Sequence, residues 1–297
     1  MPMVEAAAKL MSPYLNIKEE AVAQPSTTAL PKDIMSKDRW TKEQLKLAFY
    51  LYCQLPFGKL HSRNPEIVEL AKLIGRTPSA VAMKLVNFAS LDPAITSTGR
   101  TGLGNASSLD REIREEFHAD WEGLAIECTS LRSALAEEKG ARLSVELDIA
   151  EASGLEDFTG ETRRVVTEQR IKQHFFRRAV LSSYRGRCCM SGLSEPRLLI
   201  ASHIVPWSKD KANRLNPSNG LCLSAIHDRA FDQGLVTLTD DFKIVLSEKL
   251  KRQDDEFIKV ALLPLDGREI ELPERFMPSV ELISRHRTNS FVDNQAA

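Results

Sequence analysis

One stretch, RLLIASHIVPWSKDKANRLNPSNGLCLSAIHDRAFDQGLVTL, constrains the fold of this chain more than any other. Leu198 to Ile204 is apolar and bounded by Pro196 and Pro206, so it predicts a strand with His203 near its end. Ser208 to Asn219 is polar and carries Pro217, and Asn219-Gly220 is a strong turn signal. Gly220 to Ser224 predicts a second short strand, and Ile226 to Gln233 a short helix. Strand, loop, strand and helix, with a histidine on the first strand, make a compact unit.

That unit suits phosphodiester hydrolysis. The reaction needs a base to deprotonate water, and a neutral imidazole near pH 7 meets that need, which singles out His203. It also needs a divalent cation to stabilise charge on the phosphate and on the leaving 3′-oxygen. Asp228 and Asp232, at i and i+4, project from one face of the short helix as candidate ligands. Upstream, nine Lys or Arg residues between Arg163 and Arg197 face only Glu168 and Glu195, a local charge of +7 in a chain of net charge −1. Such a stretch can neutralise phosphates by displacing counterions, and Arg178, Arg185 and Arg187 are its candidate DNA contacts.

The segments HIVPW, NGL and FDQG, in this order, resemble the HNH (ββα-metal) endonucleases, and within them the bacterial restriction-type branch. The resemblance is strong from Phe175 to Thr239 and looser in the tail LPERFMPSVELISRHRTNSF. The block from LPFGKLH to LDREIREEFH also resembles a domain associated with these nucleases. The resemblance implies that His203 is the general base and that Asn219 braces the loop and orients the imidazole. It implies a metal ligand nine residues after Asn219. Asp228 stands there, His227 is one residue early, and Asp232 fits the second ligand position. Four residues beyond His227 comes the apolar Phe231, which favours Asp228 and Asp232 and leaves His227 as the alternative ligand. Ser202 departs from relatives that carry Asp or His before the base. The implied cofactor is one divalent ion, Mg²⁺ first, with Mn²⁺, Ni²⁺ or Zn²⁺ as alternatives. The implied substrate is DNA, cut to leave a 5′-phosphate, and the implied role is restriction of foreign DNA. One strand per site favours a homodimer for duplex cleavage. Two alternatives stand beside this reading: a DNA-binding regulator with an inactive HNH-like domain, and a nuclease for RNA or single strands.

The N-terminal half reads as helical. Thr41 and Gln44 frame a helix start, followed by Leu45, Ala48, Phe49 and Tyr52 on one face. In ELAKLIGRTPSAVAMKLVNF, Ala71, Gly75 and Val81 have the small–glycine–aliphatic spacing of a helix-turn-helix. Its second helix, opened by Thr77-Pro78, would present Arg76, Ser79, Ala82, Lys84 or Asn87 to a groove, with Arg76 and Lys84 as candidate DNA contacts. The bland alternative is two ordinary helices. The expected organisation is a disordered arm at 1–37, a helical domain at 38–123, a helical linker at 124–160 and the nuclease domain at 161–297, an α+β chain. His286 and Arg287, in an expected C-terminal helix, are candidates either to approach DNA or to sit on the surface.

Composition narrows the setting. The cysteines, Cys53, Cys128, Cys188, Cys189 and Cys222, are odd in number and scattered, which points to a reducing cytoplasm; without a CxxC pair, no four-cysteine zinc site is expected. Cys188 and Cys189 read as core or turn residues. The longest apolar runs are well short of the roughly 20 residues a membrane helix needs, and Met1 to Lys9 does not read as a signal peptide.

Overall fold

The computed structural model describes residues 39–96, 104–140 and 160–295, with side chains from 167 to 294 in the last stretch. The expected arm at 1–37, and most of the expected boundary between the linker and the nuclease domain, lie outside the described residues. The described residues form one compact unit.

α1 (Lys42–Gln54) starts on a reciprocal cap. Thr41 Oγ1 accepts from Gln44 N at 3.3 Å and Gln44 Oε1 from Thr41 N at 3.4 Å, satisfying two N–H groups that a helix start leaves open. Leu45, Leu47, Phe49, Leu51 and Tyr52 are all buried, so α1 is apolar around its circumference and runs through the core. α2 (Pro65–Ile74) and α3 (Pro78–Ala89) pack on it. Between them Gly75 adopts φ 69°, a left-handed conformation that a side chain disfavours. Ala71 and Val81 are fully buried. α4 (Pro93–Thr96) and α5 (Ser108–Ala119) follow.

α6 (Trp121–Glu138) overturns an expectation. Residues from Leu124 onward read as a linker, yet Trp121, Ala125, Cys128 and Leu135 are buried. Lys46 Nζ donates to Glu127 at 2.9 Å, and Tyr50 Oη lies 3.3 Å from Thr129 Oγ1. The apolar residues form a stripe at helical spacing, which the interleaved Glu, Ser and Arg disguise.

α7 (Gly160–Ser183) is a spine with two packed faces. On one, Phe175 stacks on Tyr50 with ring centroids 5.1 Å apart, and Ser182 Oγ donates to Cys53 O at 3.2 Å. On the other, Phe176 and Val180 meet the antiparallel hairpin of β1 (Leu199–His203) and β2 (Gly220–Ser224), in which His203 pairs with Gly220. Gly220 does not serve a left-handed turn as its Asn-Gly context suggested. Its φ is −127°, and a Cβ there would lie 2.3 Å from Val180 Cγ2 and 3.1 Å from Phe176 Cζ. The missing side chain lets the strand approach the spine.

α8 (Ala225–Asp232) packs on both strands, with Ser224 as its cap. A second hairpin, β3 (Val236–Leu238) and β4 (Ile244–Leu246), is followed by α9 (Glu248–Lys251), α10 (Glu256–Ala261), α11 (Val280–Asn289) and α12 (Val292–Gln295). His286 on α11 is a core residue, 4% exposed, and does not approach the surface; Arg287 Nη1 donates to Leu238 O at 2.8 Å. Arg275, fully buried, donates to the carbonyls of Tyr52 and Cys53 and to Ser182 Oγ. It thereby supplies donors to the open C-terminus of α1 and ties the tail to α1 and α7. Among the described residues no helix is long and apolar enough to cross a membrane.

Candidate active site

β1 ends at His203, and its ring is held from three sides. Phe176 stacks on it at 3.8 Å between centroids and 6° between planes, and Trp207 meets it edge-on at 5.7 Å. Nε2 lies 2.9 Å from Arg214 O. A carbonyl can only accept, so Nε2 carries the proton and the lone pair of the neutral ring is on Nδ1. Burial lowers the pKa of His203, partly opposed by the Arg214 carbonyl and the charge of Asp228. The ring is therefore neutral at pH 7.

Asn219 closes the neck of the loop that leaves His203. It is fully buried; its Oδ1 accepts from Val205 N at 2.9 Å, and its Nδ2 donates to Val205 O and Asn213 O, each at 3.1 Å. Its main-chain O accepts from Ile204 N at 2.9 Å. One side chain thus fixes both ends of the excursion that begins after His203 and brings Arg214 back over it.

α8 supplies the carboxylates. Asp228 lies close enough to raise the pKa of His203, and it also raises that of Asp232, where burial is the larger cause. Among the described residues neither acid forms an ion pair. His227 goes the other way. It is 6% exposed, with Nδ1 2.8 Å from Ser224 Oγ and 3.4 Å from Cys188 Sγ. A helix turns about 100° per residue, so one step in sequence separates the buried His227 from the half-buried Asp228. In this structure His227, the alternative ligand, is a buried contact of Ser224 and Cys188 through Nδ1. Burial pushes the Cys188 thiol up, but hydrogen bonds from His227 and Ser191 outweigh it and hold the pKa at about 6. Ser202, opposite in strand alternation to His203, is 2% exposed, and its Oγ has no hydrogen-bond partner among the described residues.

Two carboxylates one turn apart, without ion pairs among the described residues and in the field of an imidazole with an open lone pair, are residue types that could hold a hard divalent ion. Among the described residues no group of three or more His, Cys, Asp or Glu side chains could hold a metal.

The expected DNA contacts are not brought to this site. Lys84 is buried and donates to both carboxylate oxygens of Asp110 at 2.9 and 3.0 Å, so it fastens α3 to α5 and is withdrawn from phosphate. Arg178 is spent on Glu66 at 2.6 and 2.7 Å. Arg76 donates to Gln44 Oε1 at 3.0 Å and to Arg39 O, with its guanidinium 4.9 Å from the Trp40 ring. Arg185, paired with Glu271, and Arg187 are exposed. Sequence reasoning passed over Arg214, whose signal was its place in the loop between the two strands.

Residues 188–239 match the family model HNH_2, described as HNH endonuclease, and this span contains His203, Asn219, Asp228 and Asp232. A comparison with curated proteins gave no match. The hairpin and α8 thus fall in a segment similar to HNH endonucleases, which supports cleavage of nucleic acid as its reaction class.

Proposed function

We propose that this chain is a metal-dependent DNA endonuclease in which His203 is the general base. The observation that carries the reading is the hydrogen bond from His203 Nε2 to Arg214 O, which leaves Nδ1 as an open acceptor in the field of Asp228. Nδ1 takes a proton from water as the water oxygen bonds to phosphorus and the bond to the 3′-oxygen breaks, giving a 5′-phosphate and a 3′-oxygen that takes its proton from solvent to become a hydroxyl. Asn219 positions the base by closing the loop that carries the Arg214 carbonyl. Asp228 and Asp232 hold the divalent ion, Mg²⁺ first, which when bound neutralises charge on the phosphate and the leaving oxygen. Arg185 and Arg187 are exposed at the end of α7, and the exposed Arg185–Glu271 pair is weak enough to exchange for phosphate. Restriction of foreign DNA in the cytoplasm, by a homodimer that cuts both strands, is the biological setting we attach to this chemistry.

A second reading, a DNA-binding regulator without activity, is favoured by Ser202 standing where a further acidic ligand would help. Plasmid nicking with Mg²⁺ or Mn²⁺ decides between them. His203→Ala is expected to cut about 10²–10⁴-fold more slowly, and Asp228→Asn to need about tenfold or more metal for half-maximal cutting. Wild-type protein that binds DNA but does not nick it with any metal would overturn the nuclease in favour of the regulator.

A further inference from the structure

Arg214 is present twice at His203. Its main-chain O accepts the imidazole Nε2–H at 2.9 Å. Its side chain folds back so that Nε donates to Trp207 O at 3.0 Å and the guanidinium carbon lies 5.4 Å from the Trp207 ring centroid. Trp207 stands edge-on to His203, so the guanidinium is one aromatic ring away from the base. The anchoring uses Nε alone. Among the described residues Nη1 and Nη2 have no acceptor, and the acid of the same loop, Asp210, is engaged by Arg285 and Asn213. Arg214 is half-buried. The contrast with Arg178 is direct, since that guanidinium gives its donors to Glu66.

We propose that Arg214 is the phosphate-binding residue of this site, holding non-bridging oxygens of the scissile phosphodiester through Nη1 and Nη2. The inference rests on the nuclease reading and deepens it: one residue sets the tautomer of the base through its carbonyl and receives the phosphate through its side chain. A guanidinium is always charged, and its planar fork matches two phosphate oxygens. Stacking on Trp207 and the bond to Trp207 O restrict it before substrate arrives, so little rotamer freedom is lost on binding. The negative charge that grows on those oxygens during attack makes the contact stronger in the transition state than in the ground state.

The test uses the full chain with Arg214→Gln and Arg214→Lys in two measurements. Affinity for a DNA duplex is followed by fluorescence anisotropy in EDTA over a range of salt, and single-turnover plasmid nicking is followed with Mn²⁺. For Arg214→Gln we expect nicking to fall about 100-fold, and the slope of log affinity against log salt to lose about 1. Arg214→Lys should restore the slope but not the rate, because an ammonium cannot reproduce the fork. The acid limb of the rate–pH profile should not move in either variant, because the carbonyl on Nε2 remains. Wild-type slope and rate in Arg214→Gln would overturn the proposal. So would a rate loss accompanied by a lower melting temperature and a shifted acid limb, the marks of a loop support only. Wild type that binds DNA without cutting it would sink the nuclease reading while the salt slope still judges Arg214; wild type that does not bind DNA would sink both.

Discussion

His203 and His286 rest on phenylalanine rings in the same way and differ at a single nitrogen. His203 stacks on Phe176 at 3.8 Å and 6°, His286 on Phe231 at 3.8 Å and 7°. Each gives Nε2–H to a carbonyl, Arg214 O at 2.9 Å and Phe231 O at 3.2 Å. In His286 the remaining nitrogen is also used: Thr237 Oγ1 lies 2.9 Å from Nδ1, in a residue that α11 and β3 bury. In His203, Nδ1 has no hydrogen-bond partner among the described residues, and Asp228 lies nearby. Stacking and a carbonyl bond are general ways to hold an imidazole. Chemistry needs the lone pair they leave over.

Mutation breaks this contrast or upholds it. His286→Ala is expected to lower stability by about 3 kcal/mol, since it leaves a cavity against Phe231 and strips Thr237 and a carbonyl of partners. The folded fraction should nick DNA at the wild-type rate, whereas folded His203→Ala, which also loses a Phe stack and a carbonyl bond, should nick about 10²–10⁴-fold more slowly. Urea unfolding and plasmid nicking on both variants check this. A His286→Ala protein that folds normally but cannot cut would erase the distinction.

pH separates the two rings next. Burial holds His286 down to about 4, with the Phe231 carbonyl opposing. An unfolded histidine titrates near 6.5. Between those values the unfolded chain binds a proton that the native ring refuses. Stability is therefore complete above pH ~6.5, falls as pH drops through the window, and levels off below ~4, a total loss of about 3 kcal/mol from this group. Urea midpoints against pH should flatten in His286→Asn. Burial lowers the pKa of His203 as well, so nicking should persist below pH ~6.5 and vanish as pH falls through the lowered value, because a protonated Nδ1 cannot accept. An acid limb above pH ~6.5 would contradict the burial of the base.

The smallest effect is expected beside the base. Ser202→Ala removes a buried hydroxyl without a partner, so nicking should stay within about twofold and stability should hold or rise by about 1 kcal/mol. A large drop in nicking, with a raised metal requirement, would turn Ser202 into part of the ion's shell.

Much of the frame was legible because it is local. Thr41 and Gln44 cap α1, Gly75 takes the left-handed turn between α2 and α3, and the apolar run before His203 is a strand, because each depends on a few neighbouring dihedrals and hydrogen bonds. The misreadings share the opposite property. Lys84 looked like a groove-facing cation until Asp110, from another helix, took its charge inside. Arg178 is neutralised by Glu66, far away in sequence. α6 was hidden because its partners α1 and α7 lie on either side of it along the chain. The burial of His227 against Cys188, 39 residues before it, was likewise invisible in the sequence.

What the amino-acid sequence determined alone is the order and period of the elements, and that Asp228 and Asp232 share a helical face, since 3.6 residues per turn requires it. What only the tertiary structure decided is which face meets water and which charges stay unpaired. Phe176 and Val180 on α7 require a glycine at 220, and the return of Arg214 over His203 selects the tautomer. The physical reason is range: backbone propensity acts over a few residues, whereas burial and charge pairing depend on groups that meet only after the chain has folded.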